Sequence, residues 1–117
     1  MIGMILAMEI IGVRARTLGR DSRFLFRAQG GTIGSAAANT WVLADPAVSP
    51  KHVLIEYFGG HFSITDVGST AIGRGTAEHP QPPLQPFPVR DKDLFVLGGF
   101  EILATLLDDL GLPLVRE

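Results

Sequence analysis

The chain has 117 residues, of which 46% are hydrophobic and 19% charged, and its 10 Lys and Arg against 12 Asp and Glu give a formal net charge of −2. It contains no cysteine, which excludes a disulfide framework, a thiol enzyme and a cysteine-ligated zinc site. The slightly acidic balance lacks the basic stripe that displaces phosphate counterions, so we expect no nucleic-acid partner. These values predict one ordinary domain that folds on a hydrophobic core.

The N-terminal stretch is apolar, but Glu9 interrupts it and no basic segment precedes it. It is also too short to span a bilayer, so we expect a cytoplasmic protein with no direct membrane insertion. The chain reads as a single domain over residues 1–117, with a core at about 8–106, an apolar lead at 1–7 and a tail at 107–117.

Short apolar runs separated by 14 glycines and 8 prolines predict an all-β fold. Most of these runs alternate between apolar and polar residues, which is typical of half-buried strands. The runs predicted as strands are Met8–Arg14, Arg23–Ala28, Thr32–Ile33, Trp41–Leu43, Val53–Phe58, His61–Thr65, Leu94–Val96 and Phe100–Leu106. Many short strands without crossover helices predict a β-sandwich of two antiparallel sheets.

Three segments between or after these strands carry their own signals. Gly59 and Gly60 predict a tight hairpin, because two glycines supply the positive φ angles of primed turns. Residues 76–88 hold five of the eight prolines, which predicts an extended loop with few ladder hydrogen bonds. Residues 104–110, followed by Gly111, are compatible with one or two closing helical turns.

Trp41 and six of the seven phenylalanines lie within the strand patterns, and core packing explains them without a ligand. These phenylalanines are Phe24, Phe26, Phe58, Phe62, Phe95 and Phe100.

Residues of the types found in catalytic and metal sites are present, but their sequence spacing matches no specific motif. Ser49, His52 and Asp66 would make a hydrolase triad, yet no Gly-x-Ser-x-Gly elbow is present. His61 and His79 do not have zinc-ligand spacing with these residues, and a lone strand histidine such as His61 usually faces solvent. We therefore expect no enzyme, no metal and no cofactor.

Three loops offer hydroxyl groups, backbone amides and one lysine, which together suit an anion. They are Gly30-Gly31-Thr32-Ile33-Gly34-Ser35, Val48-Ser49-Pro50-Lys51-His52 and Asp66-Val67-Gly68-Ser69-Thr70.

These loops, taken with Asp45, resemble a forkhead-associated (FHA) domain in order and spacing. Leu84, the run Val89-Arg90-Asp91-Lys92-Asp93-Leu94 and Val96-Leu97-Gly98 resemble the closing pattern of the same family. The resemblance covers about residues 8–106 as a co-linear set of weak motifs. It implies an eleven-stranded sandwich that binds phosphothreonine peptides with the loops at one end.

The chain departs from the family pattern at two binding positions. Ser35 stands where the family has its phosphate-binding arginine, and Ala71 stands where it has an asparagine that holds the ligand backbone. A hydrogen bond to a charged group contributes about 1.5–3 kcal/mol. The loss of the arginine alone should therefore lower the affinity for a phosphopeptide about 10- to 100-fold.

Other binding positions match the family or offer a substitute. Ser49 and Thr70 match phosphate-contacting residues, and Lys51 and Arg74 are cations that could replace the arginine, although a solvated loop cation is the simpler reading of Arg74. Gly34 and His52 match residues that are structural in the family.

The stretch Asn39-x-Trp41-x-Leu43-x-Asp45-Pro46 is similar to the FHA domains of bacterial type VI secretion accessory proteins. In that branch the domain resembles a cytoplasmic adaptor that takes part in assembling the secretion apparatus.

Two functions stay open at this point. One is a phosphothreonine-peptide reader that uses a non-standard cation, and the other is a phosphorylation-independent scaffold that binds a partner protein such as a secretion-system component. Ser35 and Ala71 favour the scaffold. The apolar lead and tail are also compatible with a homodimer.

Overall fold

The computed structural model describes residues 4–12, 22–68, 73–74, 79–80, 84–108 and 110–112. These ranges form eleven β-strands and contain no α-helix. The strands are β1 (Met4–Ile11), β2 (Arg23–Phe26), β3 (Gly31–Gly34), β4 (Trp41–Val42), β5 (Val53–Phe58), β6 (His61–Asp66), β7 (Gly73–Arg74), β8 (His79–Pro80), β9 (Phe87–Pro88), β10 (Leu94–Leu97) and β11 (Phe100–Asp108).

The strands form two sheets. The first has six strands in the order β2-β1-β11-β10-β7-β8, and the second has five in the order β4-β3-β5-β6-β9. Pairing is antiparallel except between β3 and β4, which run parallel. The all-β fold of two sheets predicted from the sequence is confirmed.

The core lies between the two sheets and is built from alternate residues of each strand, because successive side chains of a strand point to opposite faces. Leu6 and Met8 of β1 pack in one cluster with Ile55 of β5 and Phe62 of β6. An aromatic group closes one side of this cluster, where the Phe24 ring lies 4.8 Å from that of Phe26 and 6.3 Å from that of Trp41, between ring centroids. Most of the predicted aromatic core is thus present.

Phe58 is an exception, and its predicted place in the core is wrong. Val53, Ile55 and Tyr57 point inward, so the alternation of β5 turns Phe58 outward, where it is 86% exposed at the hairpin tip. The hairpin itself is as predicted, since Gly59 and Gly60 have φ angles of 60° and 82°.

The strand β1 begins at Met4, four residues before its predicted start at Met8. Leu6, which was expected in an apolar lead, is fully buried and lies opposite Leu106 of β11. The first residues of the described chain therefore contribute to the core rather than to an exposed extension.

The helical turns considered for residues 104–110 do not form over residues 104–108, which is a second correction. Strand β11 continues to Asp108 and pairs with β1 along its whole length. Ala104 and Leu106 face the core on alternate positions, a period of two that a helix cannot satisfy. The chain then turns at residues 110–112, where the Asp108 carboxylate accepts the Leu110 and Leu112 N–H groups, each at 2.9 Å.

The proline-rich segment contributes two short strands that were not predicted, β8 and β9. Pro88 is tolerated because β9 lies at the edge of the second sheet. Phe87 of β9 contacts Phe95 of β10, with ring centroids 5.9 Å apart, and so joins the two sheets. The remaining residues of the segment up to residue 83 lie outside the described ranges.

Candidate functional site

Two loops meet at the end of the second sheet where β3 ends and β5 begins. The first loop, residues 35–40, follows β3, and the second, residues 43–52, precedes β5. The Ser35 N–H donates to the Ser49 carbonyl at 3.0 Å, and the Ala36 N–H donates to the Pro50 carbonyl at 3.2 Å. Both serines are half-buried. Ser35 and Ser49, which the sequence analysis assigns to one binding site, are therefore in direct backbone contact.

The side chain of Asn39 ties these two loops together. Its Nδ2 group donates to the Ala36 carbonyl at 2.8 Å and to the Pro50 carbonyl. Because both partners are carbonyl oxygens, only the amide nitrogen can face them, so the orientation of the side chain is fixed. The sequence reasoning cited Asn39 only as part of a family resemblance and missed this role.

Gly34 lies where the two loops approach most closely. A Cβ atom at this position would lie 2.7 Å from Asn39 Nδ2 and would collide with the Pro50 carbonyl oxygen. A glycine is needed here because there is no room for a side chain. The structural role that the resemblance implies for Gly34 has this physical basis.

His52 is fully buried and bonds to three separate segments. Its Nδ1 atom accepts the Ser49 N–H at 3.1 Å. Its backbone N–H donates to the Ile33 carbonyl, and its carbonyl accepts the Val67 N–H, both at 2.9 Å. His52 therefore holds the Ser49 loop against the ends of β3 and β6, which is the loop-holding role that the resemblance implies for it.

Asp66 is buried at the end of β6, beside His52. Its Oδ1 atom accepts the Gly68 N–H at 2.9 Å and lies 3.9 Å from His52 Nε2, which is beyond hydrogen-bond distance. Gly68 packs against the His52 ring, where a Cβ atom would lie 2.7 Å from Cγ. The carboxylate thus shapes the start of the β6–β7 loop.

Ser49, His52 and Asp66 are near each other, but their arrangement differs from that of a catalytic triad. In a triad the serine hydroxyl faces one imidazole nitrogen and the carboxylate bonds the other. Here the backbone N–H of Ser49 occupies Nδ1, and the histidine is 0% exposed. This geometry connects loops and gives a substrate no access to the imidazole.

The turn before Ser49 is fixed from both sides. Asp45 Oδ1 accepts the Ala47 N–H at 2.8 Å, and the Asp45 carbonyl accepts the Val48 N–H at 3.0 Å. Val48 is buried. Gly98, in the β10–β11 turn, has a φ angle of 54° and lies close to the Ala47 carbonyl. A Cβ atom at Gly98 would lie 2.6 Å from that carbonyl oxygen.

Lys51 is exposed and borders a cleft of about 390 Å³. The other described residues that line the cleft are Thr32, Ala36, Ala38, Asn39 and Pro50. Ser35 and Ser49 do not line it, so the described cleft does not join Lys51 to the contact between the two serines. The sequence placed Thr32, Pro50 and Lys51 in loops suited to an anion, but it did not group them with Ala36, Ala38 and Asn39, because only folding brings the outer side of β3 beside the second loop.

The remaining predicted site residues are less fully described. Thr70 and Ala71 lie outside the described ranges. Arg74 is described only through its backbone in β7, where it pairs with Phe95.

The histidines considered as metal ligands do not come together, since His52 and His61 lie at opposite ends of the hairpin β5–β6. Within the ranges that the structure describes, no group of three or more His, Asp or Glu residues is placed to hold a metal ion. The same ranges contain no helix of the length and hydropathy needed to cross a membrane.

Solved structures with the same architecture share little sequence with this chain. The FHA domain of an Arabidopsis thaliana hypothetical protein superposes with a TM-score of 0.71 at 20% identity, covering 97% of this chain and 90% of that one. The FhaA FHA domain, solved with the intracellular domain of Rv3910, gives 0.67 at 20% identity, covering 85% and 98%. Mycobacterium tuberculosis EmbR, solved with a low-affinity phosphopeptide, gives 0.70 at 18% identity, covering 97% and 26%.

These likenesses show the fold. No curated protein matches the chain. The family model described as "FHA domain" matches residues 31–98, which is more than half of the 117 residues and includes both loops of the site. The chain belongs to the FHA domain family.

Proposed function

We propose that this chain is a non-enzymatic protein-interaction module that binds its partner independently of phosphorylation, through the loops around Ser35 and Ser49. One observation carries the proposal. Ser35 directly follows Ile33-Gly34 and is bonded to the Ser49 loop, yet it has no charge at the position where the family resemblance implies an arginine.

The charge of a phosphate explains why this difference matters. A phosphothreonine carries about −1.5 to −2 charges at neutral pH, and charge-assisted hydrogen bonds from arginine are roughly twice as strong as neutral ones. A serine hydroxyl offers one neutral donor. We therefore expect loops of this architecture without the arginine to bind a phosphate about 10- to 100-fold more weakly.

A second candidate is a phosphothreonine reader in which Lys51 or Arg74 replaces the arginine beside Ser49 and Thr70. It is favoured by the direct contact between the Ser35 and Ser49 backbones and by the EmbR structure, which holds a phosphopeptide. The FhaA structure, solved with a protein domain, supports a folded protein as partner in either case.

We further propose that the chain acts in the bacterial cytoplasm as an adaptor for type VI secretion assembly. Support comes from the stretch Asn39-x-Trp41-x-Leu43-x-Asp45-Pro46, in which Asn39 and Asp45 also form hydrogen bonds within the loops and Trp41 packs in the core. Deleting the gene should abolish type VI secretion, and unchanged secretion would contradict this role.

A homodimer is a compatible arrangement, since Leu110 and Leu112 are exposed beyond β11. Sedimentation of the Leu110→Ser variant tests this arrangement.

Matched peptide arrays test phosphorylation independence. Each array peptide is made with threonine and with phosphothreonine, and binding of the whole chain is measured at physiological salt. We expect the two affinities to agree within about threefold. A phosphothreonine preference above tenfold that disappears in Ser49→Ala would contradict the proposal and support the second candidate.

A further inference from the structure

The cleft beside Lys51 carries an inference about the partner. Thr32 faces outward from β3, because its neighbour Ile33 is buried in the core, so the cleft opens on the outer side of the second sheet. Its volume of about 390 Å³ falls within the range of about 300–1,000 Å³ typical of ligand pockets. The cleft can therefore hold one or more side chains of a bound peptide.

The polar groups of the cleft are suited to a carboxylate. Lys51 has no hydrogen-bond or ion-pair partner within the described ranges. The Thr32 hydroxyl oxygen accepts the Thr40 N–H at 3.3 Å, which leaves its own proton for an incoming acceptor. The two amide protons of Asn39 are both used on carbonyl oxygens, so its remaining group is an acceptor suited to a peptide N–H.

The apolar part of the lining suits the stem of such a side chain. Ala36, Ala38 and Pro50, whose side chains are apolar, line the same cleft as Lys51. An aspartate or glutamate presents this combination, with one charge at the end of a short aliphatic chain.

The cleft is also fixed before any ligand arrives. The Thr32 N–H donates to Thr40 Oγ1 at 3.0 Å, so two reciprocal bonds join Thr32 and Thr40. The loop at residues 35–40 is joined to Pro50 by two hydrogen bonds. Asn39 Nδ2 and the Ala36 N–H both donate to the Pro50 carbonyl. A preorganised cleft loses less conformational entropy when it binds.

We propose that this cleft binds the carboxylate side chain of an aspartate or glutamate in an unphosphorylated segment of the partner protein, with Lys51 as the cationic donor. The proposal rests on the proposed function and names the chemistry of its partner. A carboxylate carries one charge, which the single lysine neutralises, whereas a phosphate carries about −1.5 to −2 and calls for more than one cation.

The test uses two arrays of nine-residue unphosphorylated peptides that differ only in a central glutamate or glutamine. We expect the chain to bind the glutamate array about three- to tenfold more tightly, the range expected for an exposed ion pair with an added hydrogen bond. The variant Lys51→Met should remove this difference, and Lys51→Arg should keep it. Arg27→Met is the matched control, because it removes the same charge from an exposed turn at the other end of the second sheet.

Amide chemical shifts locate the contact. Glutamate peptides should shift the resonances of Thr32, Ala36, Ala38 and Lys51, and glutamine peptides should shift them less. Binding without a glutamate preference, or a preference that persists in Lys51→Met, would overturn this inference and leave the proposed function standing. No binding to either array would contradict both. A third array carries phosphothreonine at the central position, and tighter binding of these peptides than of the glutamate peptides would overturn the inference in favour of the second candidate.

Discussion

Replacing Asn39 with alanine should weaken the contact between the two loops of the site and lower the free energy of unfolding. The change removes two hydrogen bonds from Nδ2, to the Ala36 and Pro50 carbonyls. Each neutral hydrogen bond contributes about 0.5–1.5 kcal/mol, and water can reach these carbonyls because Ala36 and Pro50 are exposed. We therefore expect a loss of about 1–2 kcal/mol, which corresponds to roughly 3–10 °C in Tm for a chain of this size.

A second substitution at the same position sharpens this test. Asn39→Asp keeps the shape of the side chain but replaces the two amide protons with an acceptor that faces two carbonyl oxygens. Its loss of stability should equal or exceed that of Asn39→Ala, measured by urea unfolding at 25 °C. Gln29→Ala, in an exposed turn, serves as control and should change the free energy of unfolding by less than about 0.5 kcal/mol. An Asn39→Asp variant as stable as the wild type would refute the role assigned to the amide.

Three further substitutions test the fold and the loop contacts. His52→Phe keeps the ring but leaves the Ser49 N–H without its acceptor, so the free energy of unfolding should fall by about 1–3 kcal/mol, and wild-type stability in urea would contradict the contact. Gly34→Ala places a methyl group against the Pro50 carbonyl, so the free energy of unfolding should fall by about 1–3 kcal/mol and the amide resonances of both loops should shift. An unchanged spectrum would show that the loops have room for a side chain. Leu6→Ala creates a cavity at a fully buried position and should cost about 3–5 kcal/mol in calorimetry, a loss that would be absent if β1 began at its predicted position.

The fold was largely predictable because the strand signals are local. Alternating apolar residues in β5 and β6, and the glycine pair between them, identify the hairpin without knowledge of the rest of the chain. The prediction was wrong where a local pattern was ambiguous. Residues 104–110 suit a helix as well as a strand in isolation, and the pairing with β1 decides for the strand up to Asp108.

The site was predictable only in part, because its geometry depends on contacts between distant segments. Motif spacing pointed to Ser35, Ser49 and His52, and the fold brings them together. The role of Asn39 depends on the Pro50 carbonyl, eleven residues away, and no pattern in the sequence indicates that pair. The cleft beside Lys51 likewise includes Thr32 on the outer side of β3. Its position there follows from the pairing register of β3 with β5, which the sequence does not give.

Phosphorylation independence is tested by comparing the affinity for a phosphothreonine peptide with that for its unphosphorylated form, in the wild type and in Ser35→Arg. Titration calorimetry on one matched peptide pair gives the ratio of the two affinities, and Ala28→Arg adds the same charge at an exposed turn as control. We expect a ratio near one for the wild type and for Ala28→Arg, and a gain of about 10- to 100-fold for the phosphothreonine peptide in Ser35→Arg. A wild type that already prefers the phosphothreonine peptide more than tenfold, with no further gain in Ser35→Arg, would contradict the account.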